Sequence, residues 1–177
     1  MRLQLVPLDE DNLARLEYNA LENQRSGSAE SREFHSMIAG LLEDIRRLHE
    51  GAVAVAPWIS YLGMEAQSGG LVGVGSFKGE PDNAAEVEIA YQTFETFRGQ
   101  GCATAMVAEL LGIAAEEGIH NVIAHTPPMK SSATHVLECN GFQLAGEREI
   151  PGEGVVWRWE RLRAKGFVFD RRNPVGQ

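Results

Sequence analysis

The 177-residue chain is 44% apolar and 23% charged, which fits one globular domain with a substantial core and leaves little room for a second. Acidic residues outnumber basic ones 25 to 16, and the net charge of -9 opposes binding to nucleic acid or anionic lipid and mildly favours cationic partners. No apolar run reaches membrane-spanning length, Pro7 and nearby acids interrupt the apolar start, and neither the two cysteines nor the five histidines show metal-ligand spacing; a cytoplasmic protein with reduced thiols and no metal is expected, off the membrane.

Residues 2–6 read as a short strand, Asp9 as a helix cap, and Leu13, Leu16 and Leu21 as the apolar positions of a first helix. After the polar stretch 22–28, Phe34, Ile38, Leu41, Leu42, Ile45 and Leu48 fall at helical spacing within 31–50, closed by Gly51. Segments 58–66 and 71–78 alternate or run apolar around Gln67-Ser-Gly-Gly70 and predict a hairpin, with Glu80-Pro-Asp-Asn83 as a second turn. A strand over 85–93 enters a glycine turn, and a helix from about Gly101 to Glu117 follows, with Met106, Leu110, Leu111 and Ile113 inside and Gly118 as its stop. Residues 121–126 form a strand broken by Pro127 and Pro128, 131–139 a short helix ended by Asn140-Gly141, and 142–148 and 155–162 a last hairpin around Pro151-Gly-Glu-Gly154. The late basic residues Arg158, Arg161, Arg163, Lys165, Arg171 and Arg172 read as a solvated strand end and tail, dividing the chain into a domain over 1–162 and a C-terminal tail over 163–177.

The most informative stretch is Arg98-Gly99-Gln100-Gly101-Cys102-Ala103-Thr104. Glycines allow unusual dihedrals and close approach of a ligand, and the first amides of the following helix lack internal partners, so together they suit an anion. The alternative is an ordinary strand-to-helix turn. No glycine is followed by lysine in the frame of a P-loop, and Thr104 stands where a dinucleotide fingerprint needs its third glycine, so neither a nucleoside triphosphate nor a dinucleotide is implied.

Arg98-Gly99-Gln100-Gly101-Cys102-Ala103 matches [RQ]-x-x-G-x-[GA], the signature of the GNAT superfamily of acyl-CoA-dependent N-acetyltransferases. With Val87-Glu-Ile-Ala-Tyr91 before it, Ala103-Thr104 inside it and Val136-Leu-Glu-Cys-Asn-Gly141-Phe142 after it, the chain resembles the branch that includes ribosomal-protein N-terminal acetyltransferases. The resemblance extends to about Arg161. It implies an α/β (α+β) domain with a central mixed, mostly antiparallel twisted sheet of about seven strands and about four helices. It implies acetyl-CoA as co-substrate, its pyrophosphate on the amides from Gln100 to Thr104 and its pantetheine along the preceding strand. An amide at Thr93 or Phe94 would polarise the thioester carbonyl. Cofactor contacts are thus expected from Thr93, Phe94, Arg98, Gly99, Gln100, Gly101, Cys102, Ala103 and Thr104. Lys130 or Ser131 stands where relatives usually carry asparagine.

Acyl transfer to an ammonium substrate requires removal of a proton. Strand alternation puts Glu86, Glu88, Ala90 and Gln92 on one face. Glu88 falls on the family's V-E-I-G-Y glutamate and is the candidate base or ammonium anchor; its alternative is an ion-paired carboxylate beside the cleft. Glu86 reads as solvated. Leu137 replaces the tyrosine that acts as general acid in many relatives; His135 reads as a surface residue, Cys139 as core, the remaining histidines as structural or exposed, and Trp157 and Trp159 as core. The expected partner is a primary amine, either a peptide N-terminus or a small molecule, and a homodimer is left open. A non-catalytic acyl-CoA-binding module is the alternative function.

Overall fold

Seven strands form one sheet in the order β1-β2-β3-β4-β5-β7-β6: β1 (Leu3–Pro7), β2 (Ser60–Glu65), β3 (Leu71–Phe77), β4 (Glu86–Thr93), β5 (Asn121–Thr126), β6 (Gln143–Ile150) and β7 (Gly154–Leu162). The computed structural model describes residues 2–9, 11–12, 14–15, 38–40, 43 and 55–162. Within the sheet only β4 and β5 run parallel; β1 to β4 form an antiparallel meander, and β7 pairs antiparallel with both β5 and β6. This is the mixed, mostly antiparallel sheet expected from the sequence. The strands fall close to their expected bounds, because each is bracketed by turn residues that stop it locally.

Two α-helices have both ends among the described residues, α1 (Cys102–Glu116) and α2 (Ser132–Cys139), and the described residues 11–12, 14–15, 38–40 and 43 are helical as well. The two expected N-terminal helices lie largely outside the described residues. Met106, Val107, Leu110, Leu111 and Ala114 recur on one side of α1 and are buried. They pack with Phe77, Val87, Ile89, Val122, Ala124 and Trp159 of the sheet, and with Leu137 and Phe142 at the end of α2, in one core. A helix with an apolar stripe gains its stability from such packing rather than from propensity alone. α2 is opened by a capping box in which the Ser131 and Thr134 side chains bond each other's backbone N–H groups.

The other side of the sheet carries a different set of residues. There Ile38 is fully buried against Leu62, Val74 and Phe94. Pairing places Leu62 opposite Val74 and Val74 opposite Gln92, so Ile38 lies on the side of the sheet to which β4 turns Glu86, Glu88, Ala90 and Gln92. α1 and α2 thus pack on one side of the sheet and Ile38 on the other.

Candidate active site

Parallel pairing of β4 with β5 stops after Glu86–Asn121, Val87–Val122 and Glu88–Ile123. Beyond Glu88 the strands separate, although β4 continues to Thr93 beside β3. Phe94 N–H donates to the Val72 carbonyl at 3.0 Å, and Lys78 N–H donates to the Glu88 carbonyl at 2.8 Å. In an antiparallel ladder alternate amides point to opposite sides, so those of Tyr91 and Thr93 turn away from β3 toward the gap. Of the two amides expected to meet a thioester carbonyl, that of Phe94 is already engaged by β3 and its ring is buried. The Thr93 amide faces the gap, and the buried Thr93 Oγ1 has no hydrogen-bond partner. Gly73 pairs with Thr93, and a Cβ there would collide with the Gln92 carbonyl oxygen, so the approach of β3 to the end of β4 requires glycine.

After β4 a short 3-10 turn (Glu95–Phe97) leads to Gly99 and Gly101, both left-handed at φ 74° and 79°. Gly101 is the N-cap of α1, with no side chain capping it, and the first helical bond runs from Ala105 N–H to Gly101 O at 3.0 Å. Ala103 and Thr104 lie in the first turn, where N–H groups have no carbonyl one turn back. A Cβ on Gly99 or Gly101 would meet nothing within 4 Å, so there is open space over the turn that a side chain would fill. Bare backbone, left-handed glycines and a helix N-terminus fit an anionic group without lysine or metal.

The side chains around the turn support it from behind. Cys102 points into the core, where burial pushes its thiol pKa up. Gln100 Nε2 donates to the Thr96 carbonyl at 2.9 Å, bracing the turn, while Arg98 is exposed with a loose 3.5 Å contact to Glu95. Asn140 Nδ2 donates to the Thr104 carbonyl at 3.2 Å and ties the end of α2 to the start of α1. Lys130 is exposed, whereas Ser131 serves as the α2 cap, its Oγ accepting from Thr134 N–H at 3.4 Å. Leu137, in the place of the tyrosine, is fully buried. Tyr91 instead reaches α2, its hydroxyl donating to the Ala133 carbonyl at 2.8 Å, and burial pushes its pKa well up.

Glu88 stands where the strands part. Lys78 Nζ lies 2.7 Å and His125 Nδ1 3.0 Å from its Oε1. Neither contact has hydrogen-bond alignment, since Glu88 Oε1 and His125 Nδ1 are buried and neither has an aligned hydrogen-bond partner. Of the structural or exposed roles expected for His125, exposure is excluded: its side chain is 10% exposed and faces the candidate base. The clue lay in register, because Asn121, Ile123 and His125 share one face of β5, and Ile123 pairs with Glu88.

Three further expectations change. Glu86 is not solvated; its Oε2 accepts from Asn121 Nδ2 at 2.8 Å and from Arg158 at 2.6 Å. Arg158 is accordingly no free strand-end cation: it also donates to Glu160 at 2.7 Å, and the hydrogen bond it donates to Glu86 holds its guanidinium pKa further up. Arg161 Nε donates to the Asn140 carbonyl at 2.7 Å. Cys139 is exposed rather than core, with its Sγ 3.5 Å from His135 Nε2, because α2 turns Thr134 and Leu137 inward instead. Trp157 and Trp159 do belong with the core, and Trp159 Nε1 donates to Thr126 Oγ1 at 3.0 Å. No group of three potential ligands able to hold a metal occurs among the described residues, and no helix there is long and apolar enough to cross a membrane.

The sheet thus opens between its two parallel strands, and a glycine turn leads into the helix that follows β4. Residues 2–143 match the model of the acetyltransferase (GNAT) domain, and the chain belongs to that family. No curated protein matches by sequence. Among solved structures, the acetyl transferase from Salmonella typhimurium that modifies the N-terminal serine of 50S ribosomal subunit protein L7/L12 is 19% identical, with TM-score 0.60 over 92% of this chain and 95% of that one. A RimL ribosomal L7/L12 α-N-protein acetyltransferase in complex with coenzyme A is 19% identical, with TM-score 0.58 over 90% and 93% of the two chains. A spermidine N-acetyltransferase SpeG chimera from Vibrio cholerae and hSSAT is 19% identical, with TM-score 0.59 over 92% and 95%. At such identities the likeness speaks for the fold.

Proposed function

We propose that this protein transfers an acetyl group from acetyl-CoA to a primary amine, either a peptide N-terminus or a small amine, by direct attack of the amine on the thioester. The observation that carries the reading is the uncapped, left-handed glycine turn at the mouth of the gap between β4 and β5. Acetyl-CoA supplies the activated acetyl group. Gly99 and Gly101 leave room for its pyrophosphate, and the amides from Gln100 through Cys102, Ala103 and Thr104 face that charge. Arg98 and Lys130, both exposed, add positive charge at the rim, and Ser131 borders the pantetheine path. Phe94 shapes the end of β4 with its ring, and the Thr93 amide stabilises the oxyanion, a contribution worth about 3 kcal/mol where such donors have been removed. Glu88 is the carboxylate on the acceptor side. With no tyrosine near the thiolate, positioning and the oxyanion contact carry most of the rate.

Two measurements test this. Acetyl-CoA at ~100 times its dissociation constant adds about 2.7 kcal/mol of native stability, a clear thermal shift, whereas no shift at saturating ligand sinks the reading. Thiol release is then followed with a short peptide, spermidine, free amino acids and an aminoglycoside. A thermal shift with silence across all four points to the non-catalytic acyl-CoA-binding module, which the buried Leu137 favours.

A further inference from the structure

We propose that His125, through its Nε2, is the group that accepts the acceptor amine's proton, and that Glu88 acts as its positioning residue. The inference rests on the acetyl-transfer reading above and deepens it.

Glu88 Oε1 is poorly placed to take a proton from an incoming amine. It is buried and confronted by the Lys78 ammonium at 2.7 Å and the His125 ring at 3.0 Å. The ammonium balances the carboxylate's charge, so this oxygen serves as the fixed centre of a cluster. His125 Nδ1 is buried against that same oxygen, with no aligned partner elsewhere. A carboxylate beside one ring nitrogen selects the tautomer with the proton there, which leaves the lone pair on the other nitrogen. Nδ1–H facing Glu88 therefore makes Nε2 the basic atom. The base-and-orienter pairing is a general device for proton transfer, and such contacts commonly align only when substrate is bound.

The position of the ring suits the role. Ile123 is the last β5 residue paired with β4, so His125, two residues on along the same face, stands at the opening of the gap. On β4 the corresponding position is Ala90, whose small side chain leaves room beside the imidazole. Its β3 partner Ser76 is buried, with its hydroxyl bonded to Ser60 at 2.8 Å. This face lies on the side of the sheet opposite α1. His125 is also paired in register with Arg158, whose charge is met by Glu86 and Glu160. Lys78 has a second acidic neighbour in Glu153 at 4.0 Å.

In the step, Nε2 takes one proton from the ammonium, directly or through one water, and releases it to solvent. The freed nitrogen lone pair forms the C–N bond to the acetyl carbon and the C–S bond breaks. The nitrogen's second proton ends on the departing sulfur, so one proton is released overall.

The acceptor-independent test is the imidazole spectrum of the whole protein by nitrogen-15 NMR in mildly alkaline buffer. The expected result is His125 with its proton on Nδ1 in the wild type, moving toward the Nε2-protonated form in Glu88→Gln. A wild-type ring protonated on Nε2 overturns the proposal. The kinetic test uses whichever of the four panel amines releases thiol. His125→Gln should lower kcat by about 10²-fold or more with an unchanged acetyl-CoA thermal shift, and His125→Ala should regain activity on adding imidazole. Unchanged kcat in a folded His125→Gln also overturns it. Failure of acetyl-CoA to shift the wild type defeats the parent reading instead, while the tautomer still answers for His125.

Discussion

The turn over α1 and the polar face around Glu88 are built in opposite ways. The turn is made of backbone, and Gly101 to Ala105 form a continuous local unit in which side chains point back into the core or brace the loop. The polar face is made of side chains brought from β4, β5, β7 and the end of β3, and no two of its paired charged groups are neighbours on one strand except Arg158 and Glu160. A backbone site tolerates changes of neighbouring side chains but not the gain of a Cβ where the ligand must sit. A side-chain cluster should behave the other way, with each member replaceable only at the expense of its partners.

The sharpest way to break this contrast is Gly101→Val. A β-branched residue at φ 79° is strained by about 1–2 kcal/mol, and its side chain projects into the open space over the turn. We expect loss of the acetyl-CoA thermal shift, corresponding to at least ~100-fold weaker binding, with the fold retained by circular dichroism. Full binding by this variant would mean that the anion sits elsewhere.

Legibility followed the same division. The turn could be read from six consecutive residues, because its chemistry is local: glycines, then a helix start. Strand and helix bounds were legible for the same reason, as with Ser131 and Asn140-Gly141 around α2. Glu86 and Arg158 are 72 residues apart, and nothing near either announces the other. His125 could be linked to Glu88 only through the parallel register of β4 and β5, which a crossover connection leaves undetermined in the sequence. The capping role of Ser131 was visible in principle, since Ser131 and Thr134 have the spacing of a reciprocal cap.

Arg158→Met tests the side-chain half with an intermediate effect. Its guanidinium bonds both Glu86 and Glu160, at 17% side-chain exposure, and its removal takes the cation from both carboxylates, leaving Glu86 the Asn121 amide as donor. A loss of about 2–4 kcal/mol in denaturant unfolding is expected, the lower end reflecting residual solvent access. Folded Arg158→Met should still give the wild-type acetyl-CoA shift, because the turn over α1 does not depend on this network. Weakened cofactor binding at full occupancy of the native state would show that the two halves are coupled.

Tyr91, on the α1 side of the sheet, gives the smallest effect. It leaves β4 inside the gap, packs beside the core on the α1 side, and donates its hydroxyl to the Ala133 carbonyl in the first turn of α2. Removing that bond in Tyr91→Phe should destabilise the protein by about 1 kcal/mol near neutrality. Burial raises the phenol's pKa above its ordinary value of 10.0, so the folded state favours the neutral form. The stability this group contributes is fully present below that ordinary value and is lost as pH rises through it toward the higher folded pKa, because the unfolded chain ionises first. Phenylalanine cannot ionise. The difference in unfolding free energy between wild type and Tyr91→Phe should therefore shrink above pH 10.0 and then reverse, while the contribution of Tyr61, whose pKa burial also raises, cancels between the two proteins. A difference independent of pH would mean that the Tyr91 hydroxyl is hydrated in solution and that its bond to the Ala133 carbonyl is not formed.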